Sequence, residues 1–329
     1  MNKQILNVAL ALALSGSALS ANAAPYTFTD LGTLGGRYSG AAAINTAGQV
    51  AGYAYTANNA AILATVWNGA TATATDLRPS SATAINAAGQ VAGYAWTSNN
   101  LNHATVWNGT TATDLGTLGG PYSYARAINN AGIVVGSSHT ANNAYHATVW
   151  NGTTAIDLGT LGGSESYAAA INSAGQVAGG SDTANNAAYH ATVWNGTTAT
   201  DLGTLGGTRS EAFAINTAGQ VAGWSYTANG ARHATLWNGA IATDLNSFLD
   251  VSTVGAGWVL NQATGINDIG WIVGNTSNSL LGIQSHAFLL SVAAVPEAET
   301  YAMMLVGLGL VGFAARHRKY TSVIKRSIK

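Results

Sequence analysis

Five histidines, His103, His146, His190, His233 and His286, recur in one context, directly before Ala-Thr-Val-Trp or a relative of it. Imidazoles repeated in register are the raw material of a Zn or Cu site. Equivalent residues of successive repeats are related by the repeat operation, however, and converge on one ion only beside an axis. A repeated polar side chain is expected to find a repeated partner. The aspartates Asp30, Asp76, Asp114, Asp157, Asp201 and Asp244 recur in the same way. We therefore expect the histidines to hydrogen-bond within or between repeats, with those aspartates as candidate partners, and expect no metal site. Leu63 stands in the histidine position of the first repeat, so the contact is not required everywhere.

The aspartates themselves could ligate Ca²⁺ only with 6–8 oxygens around the ion, and no dense Asp-x-Asp loop surrounds them. Turn formation is the expected role. Glycan hydrolysis or elimination needs two differently tuned carboxylates. The non-repeated candidates are Glu165, Asp182, Glu211, Asp250 and Asp268. No pair of them forms a recognisable motif, and neither Gly-x-Ser-x-Gly nor His-Glu-x-x-His occurs. The recurring Asp-Leu-Gly-Thr-Leu-Gly-Gly lacks the Gly-Lys-Ser/Thr ending and following helix of a phosphate loop. The chain is therefore expected to be non-catalytic and to carry no cofactor, with a polysaccharide hydrolase or lyase built on the five carboxylates as the alternative.

Binding is the chemistry that remains. Trp67, Trp107, Trp150, Trp194 and Trp237 repeat in register and should be core. Three residues after a recurrent strand glycine, the residue varies: Tyr55, Trp96, His139, Asp182, Tyr226. A second variable set follows the Asp-Leu element: Arg37, Tyr38, Tyr122, Glu165, Tyr167, Arg209 and Glu211. Aromatic rings with a few arginines suit a polysaccharide, so the candidate ligand face comprises Arg37, Tyr38, Tyr55, Trp96, Tyr122, Tyr167, Arg209 and Tyr226. Binding of ice by rows of exposed threonine is disfavoured by the twist of strands.

Composition agrees. Of 329 residues only 8% are charged, there is no cysteine, and no lysine lies between Lys3 and Lys319. Nucleic-acid binding, which needs clustered cations, is excluded, as are disulfides and thiolate chemistry.

The elements that must position these residues are repeats. Aligned on Asp-Leu, the intervals are 46, 38, 43, 44 and 43 residues, which makes six. In the third repeat four short strands are expected: A at Ala125–Asn129, B at Ile133–Ser137, C at His146–Trp150 and D at Thr154–Leu158. Asn151-Gly152 suits a type I′ turn, and Gly132 a left-handed position in a three-residue hairpin. Two tight hairpins per repeat give an antiparallel meander, the blade of a β-propeller. The fold expected is all-β, a six-bladed propeller. Its last repeat stops at strand C, His286–Leu290, and the segment Tyr26–Leu31 is expected to supply the missing strand and remove the open edge.

Strand direction places the D-to-A and B-to-C loops on one side, where the variable residues lie. Asp76 and Ile85 are nine residues apart where Asp30 and Ile44 are fourteen apart. The sixth repeat expands this connection to twenty-two and inserts Phe248, Leu249, Val251, Trp258, Val259 and Leu260, an expected apolar cap. The Ala-Ile-Asn, Gly-Gln-Val-Ala-Gly, His-Ala-Thr-Val-Trp and Asp-Leu-Gly-Thr-Leu-Gly-Gly elements, in fixed order over Asp30–Leu290, closely resemble the extracellular HAF-repeat family.

Both ends read as addresses. Lys3, the apolar run Ile5–Leu14 and Ala21-Asn22-Ala23 form a secretory signal over residues 1–23, so the repeat domain spans 24–294. Val295-Pro296-Glu297 then leads into the apolar run Tyr301–Ala315, read as a short transmembrane helix, and the basic stop Arg316–Lys319. This order resembles the PEP-CTERM sorting signal over 295–319, followed by a basic tail at 320–329. The resemblance implies recognition by a Gram-negative exosortase, transient membrane anchoring, and delivery to the cell surface or extracellular matrix. The function expected is an exported binding or structural module with exopolysaccharide as candidate ligand.

Overall fold

The computed structural model describes residues 31–291, apart from 46, 69–70, 76–77 and 79. The signal segment, all but the end of the strand expected at Tyr26–Leu31, and the sorting tail lie outside the described residues. The described chain forms two compact units, one running to Val177 and including 195–199, the other comprising Ala178–Trp194 and everything from Thr200 on.

The first unit contains three four-stranded antiparallel sheets in chain order. They are β1 (Gly35–Ile44), β2 (Gln49–Thr56), β3 (Ile62–Asn68) and β4 (Thr71–Ala74); β5 (Ser80–Ile85), β6 (Val91–Trp96), β7 (Asn102–Asn108) and β8 (Thr111–Asp114); and β9 (Gly119–Ile128), β10 (Val134–Thr140), β11 (Tyr145–Asn151) and β12 (Thr154–Asp157). β13 (Gly162–Ile171) packs over β9–β11, as β9 packs over β5–β7 and β5 over β1–β3. The fourth repeat continues in β14 (Val177–Thr183), β15 (Tyr189–Asn195) and β16 (Thr198–Asp201). In the second unit follow β17 (Gly206–Ile215), β18 (Val221–Thr227), β19 (Arg232–Asn238) and β20 (Ile241–Asp244), then a three-stranded sheet of β21 (Trp258–Ile266), β22 (Ile272–Asn278) and β23 (Ile283–Leu290). β21 packs over β17–β19.

The four-strand meander follows from the sequence pattern. In His-Ala-Thr-Val-Trp the alanine, threonine and tryptophan are all buried, because this strand is covered on both sides. Trp67, Trp107, Trp150, Trp194 and Trp237 are at most 1% exposed and form the cores with alanine and valine. Small residues let successive sheets approach closely enough for hydrogen bonds between them. Ser80 Oγ accepts from Ala64 N at 2.8 Å, Ser123 Oγ from Ala104 N at 2.8 Å, and Ser166 Oγ from Ala147 N at 2.9 Å.

The recurrent Val-x-Gly is also steric. β9 bulges where the register against β10 shifts between Val135 and Gly136. A Cβ on Gly136 would fall on the carbonyl of Tyr124, and Gly52, Gly93 and Gly223 face strand-A carbonyls in the same way.

Three local expectations are corrected. First, strand A begins earlier than Ala125: Gly119 pairs with Thr140, as Gly35 does with Thr56 and Gly206 with Thr227. Glycine-rich sequence reads as loop, but here it is held by the end of strand B. Second, Asn151 pairs with Thr154, so the two-residue loop is Gly152-Thr153. Gly152 has φ 61° at the first central position, while Asn151 has no positive φ, which is the II′ rather than the I′ arrangement. Third, the sixth-repeat insertion is not an apolar cap. It folds as a 3₁₀ turn (Leu245–Phe248) and a short helix α1 (Val251–Gly255). Leu245 is buried and Leu249 packs against the core, but Phe248 is 62% and Val251 89% exposed. Trp258, Val259 and Leu260 belong to β21 rather than to a loop.

Candidate functional site

Four of the repeated histidines meet a repeated aspartate across neighbouring strands of their own sheet. Antiparallel register places Asp114 opposite Thr105, two residues after His103, and the same holds for Asp157 and Thr148. Nδ1 of His103, His146 and His190 lies 2.8 Å from Oδ2 of Asp114, Asp157 and Asp201, and Nδ1 of His233 lies 2.6 Å from Asp244 Oδ2. A carboxylate only accepts, so Nδ1 carries the proton. Oδ1 of Asp114 and of Asp157 also caps the next turn through Gly116 N and Gly159 N. Burial alone would raise the Asp244 carboxyl, yet hydrogen bonds from His233 and Asn246, with the charge of His233, hold it below its ordinary range. Among the described residues no three His, Asp or Glu side chains gather as a metal site would require.

In the first sheet the register puts Ala74, not Asp76, opposite Thr65. Leu63 and Ala74 thus occupy the histidine and aspartate positions together. The alignment on Asp76 is off by two residues, and the connection to Ile85 is three residues shorter than its counterparts rather than five.

The non-repeated carboxylates have structural contacts. Glu211 Oε2 accepts from Trp224 Nε1 at 3.2 Å, Asp250 caps α1, and Asp268 Oδ1 accepts from Thr217 N at 2.9 Å. Hydrogen bonds from Ser252 and Thr253 lower the Asp250 carboxyl to about 2.

The candidate ligand residues fall into local groups. Arg37, Tyr38, Tyr122, Tyr167 and Arg209 lie in strands β1, β9, β13 and β17, not in loops. Tyr38 meets Tyr55 edge-on at 5.6 Å, and Arg37 N donates to Asn59 Oδ1 at 2.8 Å. Tyr122 packs on His139 at 5.3 Å, which in turn abuts Tyr145. Burial, and then the nearby Tyr124, Glu165 and Tyr122, raises the Tyr145 hydroxyl pKa. The guanidinium of Arg126 lies over Tyr167 at 5.3 Å. In the second unit Arg209 lies over Tyr189 at 5.5 Å, and Tyr226 meets Trp224 at 5.2 Å, with Arg232 over the Trp224 ring.

Tyr55 and Trp96 are brought together. They line a cleft of about 560 Å³ with Tyr53, Tyr94, Asn59 and Ser81. Beyond Trp96 lies a second, polar cavity of about 520 Å³ that includes Arg78, Asn100 and Asp114. Arg78 Nη1 donates to the Trp96 carbonyl at 3.2 Å. Tyr53 and Tyr94 lie outside the candidate face expected from the sequence, because they stand inside strands. Their signal was strand alternation, since residues two apart, Tyr53 with Tyr55 and Tyr94 with Trp96, share a face.

Residues 294–319 match the PEP-CTERM protein-sorting motif, which implies an exported protein sorted to the cell surface by an exosortase. No curated protein matches the sequence. Among solved structures, the chain is similar to TolB from Acinetobacter baumannii (11% identity, TM-score 0.43), covering 62% of this chain and 52% of that one, so it spans about half of TolB. It is similar to the β-propeller domain of the Trilobed protease from Pyrococcus furiosus (9% identity, TM-score 0.49; 78% and 84% covered). It is also similar to Aleuria aurantia lectin in complex with alpha-methyl-L-fucoside (14% identity, TM-score 0.34; 78% and 91% covered). At TM-scores below 0.5 these likenesses add nothing to the sheets described above. No helix among the described residues is long and apolar enough to cross a membrane.

Proposed function

We propose that the chain is an exported, non-catalytic HAF-repeat protein whose domain at 24–294 is a six-bladed β-propeller, with the N-terminal strand completing the last blade. After signal cleavage and exosortase processing at the cell surface it acts there, or in the extracellular matrix, as a binding and structural module for exopolysaccharide. The observation that carries this reading is the sorting motif at 294–319 directly after the repeats. Supporting it, strand A of one repeat packs over strands A–C of the preceding one within each unit. Four of the repeated histidines are engaged in His–Asp pairs.

Fractionation of cells producing the full chain, or a chain ending at Ala294, tests the reading. The full chain should be held at the surface and the shortened chain released. Intact precursor in the cytoplasm refutes it. Polysaccharide depolymerisation that disappears in Glu165→Gln or Glu211→Gln would refute the non-catalytic assignment.

A further inference from the structure

The cleft lined by Tyr53, Tyr55, Tyr94 and Trp96 exists because one side chain that fills its counterparts is missing. The buried serine of strand A is followed by Tyr124 in the third repeat, Tyr167 in the fourth and Glu211 in the fifth. Tyr124, opposite Ser137, sends its ring into the space between the second and third repeats, where it meets Tyr94 edge-on at 5.3 Å. At the same register of the second repeat, opposite Tyr94, stands Ser81. A serine cannot span that gap. The volume left open, about 560 Å³, lies within the roughly 300–1,000 Å³ of small-molecule clefts.

What surrounds the gap defines its ligand. The first sheet contributes Tyr53 and Tyr55, the second Tyr94 and Trp96. At these two positions the third and fourth repeats carry Ser137 with His139 and Gly180 with Asp182. Trp96 is 42% and Tyr53 37% exposed. Ser81 and Asn59 add polar groups, and among the described residues no charged side chain lines the cleft. Ring faces flanked by hydroxyl and amide groups without charge match a neutral pyranose, which presents an apolar C–H face bordered by hydroxyls. Among the described residues an anionic sugar would find no cation in the cleft, Arg78 lining the adjoining cavity beyond Trp96 instead. The geometry points to a binding site for a neutral pyranose of a glycan, held between the first two repeats by Tyr53, Tyr55, Tyr94 and Trp96. This rests on the glycan-binding reading above and narrows it to one site and one charge class.

Titration of the full chain with neutral oligosaccharides such as cellohexaose, and with oligogalacturonate as the acidic counterpart, followed by tryptophan fluorescence and calorimetry, tests it. Neutral oligosaccharide should bind. Trp96→Ala, at an exposed position, and Ser81→Tyr, which restores the ring found in the third repeat, should each weaken binding about tenfold or more with unchanged circular dichroism. Val251→Ala, at an exposed position of the sixth-repeat insertion, should leave it unchanged. Wild-type affinity in both cleft variants overturns the site while leaving glycan binding intact. Binding of the acidic oligosaccharide alone overturns the charge class. Absence of binding to either series overturns both this site and the reading it rests on.

Discussion

His146 and Asp157 face each other across β11 and β12, Nδ1 to Oδ2 at 2.8 Å, and where the first sheet lacks the histidine it lacks the aspartate too. Paired presence and paired loss identify the two as one structural unit. Asp157 is 41% exposed at its side chain, so the pair should contribute only about 0.2–1 kcal/mol. Asp157→Ala should cost more than His146→Leu, because Asp157 Oδ1 also accepts from Gly159 N at 2.7 Å. Changing both, as at Leu63 and Ala74, should cost less than the two single changes added together. Urea denaturation of the four chains measures the coupling, and strict additivity would show the two side chains to be independent.

That pairing is legible in the sequence because both residues recur at fixed offsets, and so is the buried tryptophan column. The four-strand meander was legible from the turn glycines. Strand boundaries were less so: Gly119–Tyr122 has poor strand propensity and becomes strand only through pairing with the end of β10. The Ala74 register was hidden by two extra residues before Asp76 that keep the Asp-Leu dipeptide recognisable out of place. Most hidden was the aromatic cleft. It is created by the smallness of Ser81, and a missing ring leaves no motif.

Gly136 should resist substitution although it lies in ordinary extended backbone. A Cβ there meets the Tyr124 carbonyl, and backbone on both strands would have to move. Gly136→Ala should destabilise by about 1–3 kcal/mol, the usual cost of overpacking. Gly152→Ala, by contrast, meets no neighbour and should suffer only the strain of its positive φ. Thermal melting of both variants checks the ranking, and an unaffected Gly136→Ala would show that the bulge can relax.

Asparagines join the repeats end to end. Nδ2 of Asn45 donates to the carbonyl of Asn86 at 3.1 Å, Asn86 to Asn129 at 3.2 Å, and Asn129 to Asn172 at 3.2 Å. Each also caps its own hairpin: Asn129 Oδ1 accepts from Ala131 N and Ile133 N. Asn129→Asp keeps the acceptor and removes the donor, so it should cost about 1–3 kcal/mol and loosen the contact between neighbouring repeats. Asn129→Ala removes both and should cost more. Hydrogen exchange separates the two effects: the aspartate variant should keep Ile133 N protected, and loss of that protection would mean the turn depends on the inter-repeat bond.

Acid should loosen the insertion of the sixth repeat. Hydrogen bonds from Ser252 and Thr253 hold Asp250 at about 2 against an ordinary 3.8. Thr217 likewise lowers Asp268, and His233 and Asn246 lower Asp244 against the effect of burial. A carboxyl whose folded pKa lies below its unfolded value stabilises the fold fully above the unfolded pKa and loses that contribution as pH falls through the folded one. For Asp250 the window runs from 3.8 down to about 2. Amides of α1 should therefore lose protection between pH 4 and pH 2, beginning with Thr253, whose N–H donates to Asp250 Oδ1 at 2.9 Å. Asp250→Asn removes the titrating group and should flatten this dependence around α1 while leaving that of β20 to Asp244. If the profile at Thr253 is the same in the variant, the cap does not set the acid response of this segment.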